Sequence, residues 1–178
     1  MFEEINNKFT QLKTELSEFA ETLEFTEICE FSMNDLSQIP WDNLNISGIY
    51  KIDIKNNGLY SDFPNWINTF REKWEDLQYK RKFVPNIKTK RIKMHNELQE
   101  WIPLYLGKSK TISSRIHQHI FKEMEKTTFA LKLYARENIK DETYKLSIIE
   151  IQNENYDFII PFVEKKLRDK INPIIGKQ

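Results

Sequence analysis

The chain has 178 residues, with 27 basic and 27 acidic side chains balancing to a formal net charge of zero, and only four glycines and six prolines. That length suits one domain able to bury a core, and the abundant aromatics argue against disorder as a global state. No apolar run approaches the roughly 20 residues needed to span a bilayer, and the single cysteine, Cys29, excludes an internal disulfide and a cysteine metal cluster.

The start, Met1-Phe2-Glu3-Glu4, has neither the basic region nor the apolar stretch of a signal peptide. A reducing cytoplasm fits this usage best. The zero net charge conceals an asymmetry. Residues 1–36 hold nine acids against Lys8 and Lys13, so residues 37–178 carry a net +7. That later portion is basic enough to approach phosphates, although solvated helix faces of either sign are an equally available reading.

Phe2, Ile5, Phe9, Leu12, Leu16, Phe19 and Leu23 alternate spacings of three and four, which predicts a helix with one apolar stripe over about three heptads. Such a stripe either packs on its own domain or pairs as a coiled-coil homodimer. Pro40 and the Asp42-Asn43-Leu44-Asn45 cluster end this region, giving a helical extension over 1–45 ahead of a domain over 46–178. Residues 46–54 read as a strand with Tyr50, Ile52 and Ile54 on one face and Ile49, Lys51 and Asp53 on the other. Asn56-Asn57-Gly58 is a turn signal, and Asp62-Phe63-Pro64 opens a helix carrying Trp66, Phe70, Trp74 and Leu77 on one side.

From Lys80 to Lys93 there are seven basic residues in fourteen and no acid. Strand character resumes at Trp101–Leu106. A helix is expected over about 111–126 with Ile112, Ile116, Ile120 and Met124 inward, and a shorter one over 128–136. Tyr144–Ile151 reads as a strand buried on at least one face, and a last helix runs from near Pro161 to Ile171.

Two short stretches stand out: Ser47-Gly48-Ile49-Tyr50 and Leu104-Tyr105-Leu106-Gly107-Lys108, which hold two of the four glycines. Arg115 follows Tyr105 by ten residues, His119 lies one helical turn further, and Glu164 precedes Pro173 by nine. In these motifs and spacings the chain resembles the GIY-YIG nucleases over roughly residues 46–178, with Leu106 replacing the central Ile of the second motif. Many members of that family carry an Asn about three residues after the proline, where this chain has Gly176.

The resemblance implies an α+β fold, a small three-stranded mostly antiparallel sheet flanked by helices, here with a helical and basic insertion at about 55–100 between the first two strands. It also implies Tyr50, Tyr105, Lys108, Arg115, His119 and Glu164 as the catalytic set, Tyr50 as general base and Glu164 as ligand of one Mg²⁺ or Mn²⁺. The chemistry suits those residue types. A glutamate supplies the hard oxygen that Mg²⁺ takes alongside water and phosphate, and an arginine fork pairs with phosphate oxygens at any working pH. A phenol, with an ordinary pKa near 10, needs help to act as a base; Lys108, His119 and the metal are the candidates.

The basic run, with Lys88, Lys90, Arg91 and Lys93 and with Lys177 beyond it, is the expected nucleic-acid surface, unless it is a solvated arm. The expected partner is DNA, with RNA kept open. A small standalone endonuclease of restriction type is thus the first expectation. A binding module of the same fold without efficient cleavage is the second, and an interaction protein built on the N-terminal heptads the third.

Overall fold

The computed structural model describes residues 1–176. Its centre is a four-stranded antiparallel sheet formed by β1 (Thr26–Ser32), β2 (Gly48–Lys55), β4 (Trp101–Ser109) and β5 (Thr143–Glu150), in the order β1-β5-β2-β4. The expectation of three strands is corrected by β1. It arises in the segment expected to be purely helical and pairs with β5 along the sheet's far edge. Its alternation is masked because a bulge interrupts the register between Glu27 and Cys29, and only Phe31 of its side chains is fully buried.

Strand alternation gives the sheet two apolar faces. Tyr50, Ile52 and Ile54 of β2, with Tyr105, Tyr144 and Leu146, face a core closed by α2 (Phe63–Trp74) and α4 (Ile112–Phe121). Ile49, Leu106 and Ile149 face the other way, against Ile160, Val163 and Leu167 of α5 (Tyr156–Ile171). The helix α1 (Phe2–Thr22) joins this second layer only by its C-terminal end, through Ala20 with Leu16 and Leu23. Asp62 caps α2 by accepting from the Asn65 N–H at 2.8 Å. Along α2 the rings of Trp66, Phe70 and Trp74 stack in series.

The insertion is therefore anchored in the core rather than free. Its second half docks as well: β3 (Asn86–Ile87) pairs antiparallel with β6 (Ile175–Gly176), and the Lys88 N–H donates to Ile174 O at 2.8 Å. His95 Nε2 lies 2.8 Å from Asn172 O, just past α5. The basic run is thus fixed to the segment that follows the last helix, with a single turn, α3 (Thr89–Ile92), near its C-terminal end.

Two helix expectations are corrected. The helix over 111–126 stops at Phe121, and 128–136 holds turns with a 3₁₀ turn at Leu133–Ala135, not a helix. Lys122 turns extended after Phe121 (ψ 133°), and the segment beyond is held by Lys132. Its backbone is left-handed (φ 58°), and its buried Nζ donates to Met124 O and Lys126 O at 2.9 and 2.6 Å. Those carbonyls take an ammonium in place of helical N–H groups. The last helix also begins earlier than expected, at Tyr156, so Pro161 lies inside it. No described helix is long and apolar enough to cross a membrane.

Candidate active site

Both motif glycines answer to close approach. A Cβ on Gly48 would lie 2.1 Å from Ile149 O on the neighbouring strand. One on Gly107 would lie 2.4 Å from Tyr50 Oη and 2.7 Å from Tyr50 Cζ. Gly107 stands directly opposite Tyr50 in the β2–β4 register, so its missing side chain is the space the phenol occupies. Tyr50 and Tyr105 project from the same sheet face with ring centroids 6.2 Å apart.

His119 reaches this pair from α4. It is fully buried, and its Nε2 lies 2.8 Å from Tyr50 Oη. On the other side of the ring, Nδ1 accepts from the Leu131 N–H at 3.1 Å. Burial, and after it the nearby Arg115, holds His119 well below its ordinary pKa, so the imidazole is neutral. A neutral imidazole whose Nδ1 accepts carries its proton on Nε2. His119 therefore donates to the phenol oxygen, and the hydroxyl proton of Tyr50 is directed elsewhere. Burial foremost, with Tyr105 adding to it and Arg115 opposing, keeps the Tyr50 phenol well above its usual pKa.

These rings floor a cleft of about 320 Å³ at the open edge of β4, walled by Gly107, Lys108, Arg115, Glu164 and Arg168, with Ile175 and Gly176 closing one end. Arg115 is held rigidly, Nη1 donating to Gln118 Oε1 and Nη2 to Phe129 O, both at 2.7 Å. Burial lowers its pKa, but the two tyrosines outweigh that and leave it raised. Lys108 stands over the Tyr156 ring at 5.9 Å. Among the described residues, the one carboxylate of the cleft is Glu164, paired with Arg168 one turn along α5.

The insertion adds cations at the rim. A Cβ on Gly176 would lie 3.7 Å from Lys88 Cε and 3.8 Å from Arg91 Nη1. Burial first, then mutual repulsion with each other or with Arg168, lowers the pKa of Lys88 and Arg91; Asp169 opposes the effect at Arg91. Positive groups pushed against one another in this way favour an anion among them. Lys88, Lys90 and Arg91 also line an adjoining groove of about 580 Å³ with Met94 and Asp169. Beyond Arg115, a further groove of about 700 Å³ runs past Lys80, Arg81, Lys82 and Phe83 to Phe129, the residue whose carbonyl Arg115 holds.

Of the expected site residues, Tyr50, Tyr105, Lys108, Arg115 and Glu164 line one cleft, and His119 sits behind it against Tyr50. Lys88 and Arg91 reach the rim, and Lys90 faces the adjoining groove. Lys93 is exposed at the end of α3 and lines neither cavity. Lys177 lies outside the described residues. Asn172 takes up a left-handed turn that ends α5 (φ 55°), and Gly176 occupies the cleft end. Arg168 belongs to the cleft without being part of any motif; its i+4 spacing from Glu164 is the signal the sequence offers for it.

A resident metal finds one hard oxygen donor here. Among the described residues, no group of three or more His, Cys, Asp or Glu side chains is placed to hold an ion. The donor set fits a Mg²⁺ that takes a single carboxylate and fills its shell with water and phosphate oxygens. No family model, curated protein or solved structure matches this chain.

Proposed function

We propose that the protein is a metal-dependent endonuclease that hydrolyses phosphodiester bonds in DNA, a small standalone member of the GIY-YIG type. The observation that carries this reading is the gathering of Tyr50, Tyr105, Lys108, Arg115 and Glu164 around one cleft open to solvent and rimmed by further cations. A Mg²⁺ or Mn²⁺ held by Glu164 would supply charge stabilisation for the scissile phosphate.

The chain's own residues do the rest. Arg115, fixed by two acceptors, presents its remaining N–H groups to phosphate oxygens and needs no reorganisation as negative charge develops. Lys108 and Arg168 neutralise the same charge from the opposite wall. Tyr50, ionised in the reactive fraction, takes a proton from water. The resulting hydroxide attacks phosphorus, and the departing alkoxide is protonated by solvent. The His119 Nε2–H stabilises the phenolate that this step needs, so His119 is a donor in the reaction and not the receiver of the tyrosine proton.

Duplex DNA would enter along the two basic grooves, with Lys88 and Arg91 beside Gly176 at the end of the cleft. Incubating pure protein with supercoiled plasmid and Mg²⁺ or Mn²⁺, beside Glu164→Ala, tests the reading. Metal-dependent nicking absent from the variant supports it; no nicking by the wild type overturns it. The pairing of Glu164 with Arg168 favours a second reading, a nucleic-acid-binding module without efficient cleavage. Tight DNA binding without nicking would select that reading.

A further inference from the structure

The helix α1 leaves most of its apolar stripe uncovered. Phe2 is 90% exposed, Phe9 59% and Ile5 48%. Leu12 and Phe19 are more than two-fifths exposed on the same stripe. Only the C-terminal end is held, against α5. The stripe repeats every seven residues with alternating steps of three and four over three heptads, the 3.5-residue period of a left-handed coiled coil. A membrane surface is a poor occupant. Amphipathic helices that lie on anionic lipid carry Lys and Arg on the polar face, whereas α1 has five glutamates against Lys8 and Lys13.

We infer that α1 pairs with α1 of a second copy of this chain, antiparallel, about a two-fold axis near residues 10 and 11. The flanking charges choose the direction. Lys8 and Glu15 share one flank of the stripe and Lys13 lies on the other. A parallel pair in register sets Lys8 against the partner's Lys13, twice. An antiparallel pair sets Lys8 against the partner's Glu15, twice, and Lys13 against the neutral Asn6.

The antiparallel arrangement also layers Phe2 on the partner's Phe19, Ile5 on its Leu16 and Phe9 on its Leu12. Each overhanging N-terminal half then rests where the partner's helix is already supported by its own α5. In the single chain Glu15 accepts only from the neutral Gln11 amide, at 2.8 Å, and Lys8 meets Glu4 one turn away at 3.0 Å in an exposed pair that contributes little and can exchange for the partner's Glu15.

Sedimentation velocity of the full chain from about 1 to about 100 µM tests it. A concentration-dependent dimer is expected, abolished by Phe9→Asp. Because residues 2–12 are outside both cores, the far-UV spectrum and melting cooperativity of that variant check that the remainder stays folded. Lys8→Glu and Glu15→Lys should each weaken dimerisation about tenfold, and the double exchange should restore it. A monomer throughout the range overturns the inference. So does tightening by Lys8→Glu, the response of a parallel pair, or failure of the double exchange to rescue.

Discussion

Tyr50 Oη and His119 Nε2 lie 2.8 Å apart inside the protein, and the Leu131 N–H on the far side of the ring decides which of the two donates. A backbone group twelve residues along the chain thus assigns a proton at the site. The phenol is also buried, and its pKa stands well above the usual value. At neutral pH the phenolate is a small fraction that grows tenfold with each pH unit.

The rate of cleavage should follow that fraction. Single-turnover cleavage with Mg²⁺ should rise with a slope near one in log rate from about pH 7 to about pH 9. Tyr50→Phe should remove activity without loss of fold. His119→Phe, which withdraws the donor, should lower the rate by about tenfold to a hundredfold. A flat pH profile would remove Tyr50 as the base.

Stability should fall on the acid side. The folded His119 pKa is depressed, so above pH about 6.5 the residue is neutral in both folded and unfolded states and contributes no pH dependence. Below that, the unfolded chain takes up a proton that the folded chain refuses. The loss approaches about 1.4 kcal/mol per pH unit for this residue. Urea unfolding of the wild type and His119→Gln between pH 7 and pH 5 should show the steeper decline in the wild type.

Gly107→Ala should displace the Tyr50 ring. The new methyl would lie 2.4 Å from the phenol oxygen, which is buried and hydrogen-bonded, so a destabilisation of about 1–3 kcal/mol is expected. Combined with Tyr50→Ala, the cost should be much smaller than the sum of the single changes, because the clash is then gone. Denaturant midpoints of the four proteins in the cycle measure this.

Replacing Lys88, Lys90, Arg91 and Lys93 with Gln should weaken DNA binding and flatten its salt dependence. Each phosphate that the protein ceases to neutralise lowers the log–log salt slope by about 0.9. Because Lys88 and Arg91 reach the cleft and Lys93 does not, the Lys88 and Arg91 replacements alone should account for most of the effect. Fluorescence anisotropy from low to moderate salt separates these contributions.

The gathering of Tyr50, Tyr105, Lys108, Arg115 and Glu164 around one cleft was legible in the sequence because it rests on residue types at fixed spacings, which helices and paired strands convert into proximity. Tyr50, Gly107 and Tyr105 meet because β2 and β4 pair, and Arg115 and His119 join them because α4 follows at once. The two apolar faces of β2 were legible for the same reason. What was hidden depends on interactions without local period. β1 is a bulged edge strand with a single fully buried side chain. The segment after α4 is held by the Lys132 ammonium, eight residues from the Met124 carbonyl it satisfies. The docking of the basic run depends on two-residue strands 89 positions apart, too short for any alternation to show.

The cleft owes its position to the sheet ending at β4, where the strand's outer side from Tyr105 onward is left open. An uncovered strand edge is also a template onto which a neighbouring chain can add its own strand. Lys108, Arg115 and Arg168 crowd this edge with positive charge, which a phosphate tolerates and an incoming apolar strand does not. The cations of the cleft thus oppose such pairing, and removing charge there should lower the monodispersity of the protein.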